Sequence, residues 1–124
     1  MKNWELRMEY RSCVAVESKC RPGVLLTIRR MSFGRRIELT RQIRELARKV
    51  EFLEAGGDTG EKIESALLKA EIEKLYLAWG LVKVEGLEVD GTAATPESLL
   101  SEGPEDVCRE AIAAIKAECG LTDD

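Results

Sequence analysis

The spacing of apolar residues changes along the chain, and each change marks an element. From Trp4 to Val16 they fall on every second position, with Trp4, Leu6, Met8 and Tyr10 followed by Val14 and Val16, the alternation of a β-strand. Arg21-Pro22-Gly23 supplies a turn, and Val24 to Met31 is largely aliphatic or β-branched up to Arg29-Arg30, so residues 1–31 predict a β-hairpin. Ser32 then offers an N-cap for a long helix that the Gly56-Gly57 pair ends. Inside it Leu39, Ile43, Leu46, Ala47, Val50 and Leu53 recur on one face, with Phe52 pointing elsewhere. The chain breaks between Asp58 and Gly60, and a second helix is expected from Glu61 to Trp79. So short a connection makes residues 32–79 an antiparallel helical pair.

The second helix carries two apolar stripes where one would suffice. Leu68, Ile72, Leu75, Tyr76 and Trp79 form the wide one and are expected to face the core. Ile63, Ala66, Leu67 and Ala70 lie roughly opposite. They need a second partner, either the N-terminal hairpin or another polypeptide. After Gly80 the alternation returns from Leu81 to Asp90-Gly91, a strong turn dipeptide, so residues 80–94 predict a central β-hairpin. Thr95-Pro96 reads as an N-cap followed by proline at the first helical position. Gly103-Pro104 separates that short helix from a last amphipathic one, Glu105 to Cys119, so that residues 95–121 form C-terminal helices. The expected fold is a single α+β domain, mainly α: an antiparallel helical pair and C-terminal helices, with N-terminal and central β-hairpins.

Charge sharpens this picture. Residues 1–50 carry 13 Lys+Arg against 5 Asp+Glu, a net of +8, whereas residues 51–124 carry 6 against 18, a net of −12. Ten of the 13 cations in the first half are arginines, the residue suited to pairing with carboxylate or phosphate. The two halves can neutralise each other within one fold or between copies, or the basic half can be displayed to an anionic partner. Arg29, Arg30, Arg36, Arg41, Arg44 and Arg48 are the candidate residues of a charge-mediated interface, Arg41, Arg44 and Arg48 sharing one helical flank. Local pairing with Glu38 and Glu45 is the competing expectation. Nucleic acid ranks low as a partner, because the overall balance is acidic and stacking aromatics are scarce.

Candidate chemistry adds little. The chain has no histidine, and no activated nucleophile or phosphate-cradling glycine loop is recognisable, so an enzyme is not expected. Cys13, Cys20, Cys108 and Cys119 have no zinc spacing and read as reduced thiols, the last two on a helical face shared with Ile112 and Ile115. Glu85, Glu88 and Asp90 lack the order of a calcium loop, so neither metal nor cofactor is expected. No apolar run approaches the ~20 residues of a membrane helix, and the start does not read as a signal peptide. A cytoplasmic protein without a membrane partner is the expectation.

Several stretches carry a family resemblance. They are Leu26 to Arg36, Arg44-Glu45-Leu46-Ala47, Val50 to Gly56, Trp79-Gly80-Leu81, Val84 to Leu87, Asp90-Gly91, Ala94 to Leu99, and Ala114 to Leu121. In that order they resemble a small protein of phage and prophage tail modules, of the tail assembly chaperone type, over most of the chain from about Leu26 onward. The resemblance implies a helical protein with minor β structure that binds the tape measure protein in the host cytoplasm, keeps its apolar helices soluble and helps recruit tail tube subunits. It implies no catalytic residues. The stripe Ile63, Ala66, Leu67, Ala70 is the candidate client-binding surface, and homo-oligomers are expected from the split charge. A connector or minor tail or capsid protein retained in the virion is the first alternative, and a small nucleic-acid-binding regulator the second.

Overall fold

The computed structural model describes residues 8–120. Its elements are β1 (Cys13–Glu17), β2 (Leu25–Arg29), α1 (Phe33–Gly56), α2 (Thr59–Gly80), β3 (Leu81–Glu85), β4 (Glu88–Val89), β5 (Thr92–Ala93), α3 (Pro96–Glu102) and α4 (Glu105–Glu118). This is the α+β, mainly α fold that the periodicity predicts. Both β1 and β3 pair antiparallel with β2, giving a three-stranded sheet of order β1-β2-β3. The central strand contributes Leu26 and Ile28, each buried, and the core closes over them with Leu39 of α1, Tyr76 and Leu77 of α2, Leu99 of α3, and Val107, Ala111 and Ile115 of α4.

Two expectations about strands are corrected. The alternation from Trp4 predicts a strand that begins far earlier than β1 does; Trp4 and Leu6 lie outside the described residues, while Met8 and Tyr10 are 93% and 62% exposed and not in a strand. Only Cys13–Glu17 finds a partner in β2, whose own five residues set the length. The central hairpin expected over 80–94 also divides. Leu81–Glu85 joins the N-terminal sheet, because Leu81 and Val84 are needed in the core, and only β4 and β5 form a hairpin, around Asp90-Gly91. Gly86, at φ 81°, turns the chain between them where a Cβ would stand 2.3 Å from the Gly23 carbonyl oxygen.

Helix ends follow their sequence signals. Ser32 and Asp58 accept hydrogen bonds from the Arg35 and Glu61 amides at the starts of α1 and α2, and Gly57 ends α1 at φ 81°. Thr95 and Ser98 form a reciprocal capping box on α3. The 24 residues of α1 span about 36 Å, yet the helix packs on α2 and on little else. The half of the pair nearest the core is braced by the body through Leu39, Ile43, Ile72 and Tyr76. Beyond it, Val50 and Leu68 are buried along the helical seam without joining the main core, and Lys69 bridges to Glu54 at 2.5 Å.

At the other end of α2 the helix meets α4 closely. A Cβ on Gly80 would lie 2.7 Å from two carbons of Ile115. We expect Gly80→Ala to lower the unfolding free energy by about 1–3 kcal/mol, the cost of overpacking, in urea denaturation; an unchanged midpoint would mean that Ile115 yields freely. The β1–β2 loop is held to α4 by Glu110, which accepts hydrogen bonds from Ser18 Oγ at 2.5 Å and the Lys19 amide at 2.6 Å. The Ser18 bond, the larger cause, and the Lys19 amide hold this carboxyl below its ordinary range against a smaller effect of burial. A depressed folded-state pKa contributes stability present above the unfolded pKa and lost as pH falls through the folded one. Glu110→Gln is therefore expected to be less stable than the parent at neutral pH and to converge with it in acid, read from denaturation midpoints between neutral and acidic buffers.

Candidate functional site

Helix α2 is asked to cover two surfaces. Its wide stripe serves the seam and core as expected, Leu68 and Tyr76 being buried and Ile72, Leu75 and Trp79 half-buried. The opposite stripe runs out past the body. Ile63 is 67% and Leu67 55% exposed, and Ala66 and Ala70 are exposed with them. Packing under the N-terminal hairpin, the internal alternative for these four residues, does not occur among the described residues. Leu77 is the residue that periodicity alone did not assign. Seven positions after Ala70, it continues the same stripe to the point where α3 and α4 arrive, and there it is buried.

Where the exposed stripe meets the body it opens into a groove of ≈ 450 Å³ between α2, α3 and α4. Ala70, Leu77, Leu100, Cys108 and Ile112 give its apolar lining, with Glu73, Lys74, Glu105 and Arg109 among the polar groups around it. Arg109 Nη1 donates to both Glu73 carboxylate oxygens at 2.8 Å, and its other terminal nitrogen reaches Glu105 at 3.4 Å. Those contacts, with Glu73 first, raise the guanidinium's pKa and tie α4 to α2 across the groove. Stripe and groove together form one apolar track along the outside of α2, capped at the body end by an ordered polar bridge. Such a track suits the apolar face of a partner helix, which would present anchors at three- and four-residue spacing.

The six arginines of the candidate charged interface divide into two groups. Arg29 Nε donates to the Trp79 carbonyl at 2.9 Å, at the end of α2, and Arg36 donates to the Cys119 carbonyl at 3.0 Å, at the end of α4. Each places a cation on a helix C-terminus, where unpaired carbonyls and the helix dipole favour it. Arg30 is half-buried, with its Nε out of water and without a hydrogen-bond partner. Arg29 and Arg36 thus serve the fold, and Arg30 is turned from the surface. Arg41, Arg44 and Arg48 are exposed, and among the described residues none of them makes an ion pair or side-chain hydrogen bond. The local pairs expected with Glu38 and Glu45 do not form.

The thiols lean away from chemistry. Burial, the first cause, and the Glu105 carboxylate raise the Cys108 pKa, and burial raises that of Cys119 against the opposing Arg36 charge. Cys20 is likewise raised, by desolvation and then by Glu110 and Asp106. Raised values keep a thiol protonated and poorly nucleophilic. All four cysteines are free.

No protein-family model, curated protein or solved structure matches the chain. Among the described residues, no helix is long and apolar enough to cross a membrane.

Because Ile63 and Leu67 are largely exposed, replacing both by Ser should change the unfolding free energy by no more than about 0.5 kcal/mol per site, the range for surface substitutions. A loss of about 2 kcal/mol or more per site, the cost of truncating a core side chain, would show that the stripe is covered in solution.

Proposed function

We propose that this chain is a non-enzymatic phage tail assembly chaperone that binds the tape measure protein through the outer face of α2. The observation that carries the reading is the stripe Ile63, Ala66, Leu67, Ala70, which stands out in water and leads into the groove beside Leu77. A client-binding protein needs apolar surface that stays folded when empty. The seam behind the stripe supplies that rigidity, since Leu68 holds α2 against α1 from the opposite side.

A long helical client would lay its apolar face along α2 and into the groove, while its polar face kept the complex in solution. Full burial of Ile63 and Leu67 contributes roughly 1.5–3 kcal/mol each, which suits a contact made and broken repeatedly. Several copies along one client multiply that grip without tightening any single site. Lys62, Glu64, Lys69, Glu71 and Lys74 around the stripe keep the apolar patch on α2 narrow, which limits simple aggregation of the unoccupied protein.

The test is co-expression with the tape measure protein. The parent chain should keep that client in the soluble fraction, and Ile63→Asp combined with Leu67→Asp should return it to the pellet while leaving this chain folded by circular dichroism. A client equally insoluble with and without the parent chain, or equally soluble with the double variant, would sink the reading.

A further inference from the structure

Helix α1 has an outward face that neither the fold nor the proposed client contact uses. Phe33, Ile37, Arg41, Arg44, Arg48 and Phe52 follow one another at four- and three-residue steps, so they line one stripe of α1, whose Arg44, Arg48 and Phe52 border hollows shared with Glu64, Leu68 and Tyr76 of α2. The stripe is about 28 Å long, with apolar residues at both ends and three arginines in the middle. All six are exposed, Phe33 at 86% and Phe52 at 76%. Three large apolar residues, Phe33, Ile37 and Phe52, standing exposed on one helix face are more than solvation of that face requires.

The complementary surface is on the same molecule at its other side. Glu88 and Asp90 of the β4–β5 hairpin and Glu97 and Glu102 of α3 are exposed on elements that pack together, and none is ion-paired among the described residues. Beside Glu97 lies a cleft of ≈ 390 Å³ whose lining includes Ala78, Val82, Pro96 and Leu100, with Arg29 as its one cation. Its apolar part can seat a phenylalanine ring, and the unpaired carboxylates of α3 and the β4–β5 hairpin outnumber Arg29 as partners for unpaired arginines.

We propose that the α1 stripe docks on the α3 and β4–β5 end of a second copy, with a phenylalanine ring in the cleft and the arginines facing Glu97 and Glu102. The contact joins two different surfaces, so it is head-to-tail and propagates into a ring or filament. Its footprint, a helix face about 28 Å by about 10 Å, is well below the ~800 Å² per partner of a stable complex. The association is therefore weak and depends on unscreened charge. It does not rest on the tape measure reading.

Sedimentation velocity of the full chain tests it, at high protein concentration and with salt raised from about 50 mM to about 500 mM. Species larger than the 13.8 kDa monomer are expected at low salt and should dissociate at high salt. The triple variant Arg41→Glu, Arg44→Glu, Arg48→Glu should be monomeric, as should Glu97→Lys with Glu102→Lys. Mixing the two should restore association, since each then presents the other's missing sign; circular dichroism on both checks that they fold. A monomer at low salt, or association that survives the arginine reversals, overturns the proposal. So does a parent chain that binds DNA through these arginines yet never self-associates. Ile63→Asp with Leu67→Asp should leave the association intact, so its loss of client and a loss of self-association are separate results.

Discussion

The structure depends on the division of labour along α2. One helix supplies the seam to α1, the contact with the sheet and the contact with α4, and it does so because its sequence is apolar on opposite faces. Leu68 and Tyr76 look one way; Leu77 looks the other, against the body, and Gly80 lets Ile115 approach where any side chain would collide. Remove the second face and α4 loses its seat. Remove the first and α1 loses most of its packing, keeping only the anchors near its start at Leu39 and Arg36. The second face of this 22-residue helix is covered where α3 and α4 arrive, at Leu77, and bare at Ile63 and Leu67. The exposed stripe at Ile63 and Leu67 is thus the geometric continuation of a core contact.

The fold was legible wherever local chemistry and hydrophobic period agreed. Ser32, Asp58 and Thr95 are caps with short side chains able to accept from the helix N-terminus, and Gly57 is a terminator whose positive φ costs it nothing, so helix limits could be read within a residue or two. The strands were less readable because alternation reports which residues could line one face of a strand, without naming the partner that makes it one. Met8 and Tyr10 satisfy the period and pair with no strand among the described residues, whereas Leu81–Glu85 has a partner in β2, more than fifty residues away in sequence. Pairing at that distance is decided by core shape, which the period of a single segment does not encode.

The candidate site was legible in the same partial way. The second stripe on α2 was visible as surplus hydrophobicity, and its four residues are exposed together. Whether the body would cover them could not be read from spacing alone, because that depends on where α3 and α4 end. The arginines were harder. Periodicity set Arg41, Arg44 and Arg48 apart on one helical flank, but nothing in it showed that Arg29 and Arg36 reach helix C-termini that only the tertiary fold brings near, at Trp79 and Cys119. Charge counts treat such residues as surface, and geometry turns them into caps.

Two antiparallel helices that spend one face each on a common seam must turn their remaining faces away from each other. This constraint puts the apolar track of α2 on the face of that helix opposite the seam, and the arginine stripe on the other helix. On the two proposals, a client helix lying on the first would not cover the second, and a neighbour docked on the second would leave the first in water. The two contacts also answer to different conditions. Apolar burial is little affected by salt, whereas an exposed arginine–carboxylate contact fades as ions screen it. On those proposals, client binding and self-association would vary independently on one small domain, and the separation would need no conformational change, only the rigidity that Val50 and Leu68, buried between the helices, give the outer half of the pair.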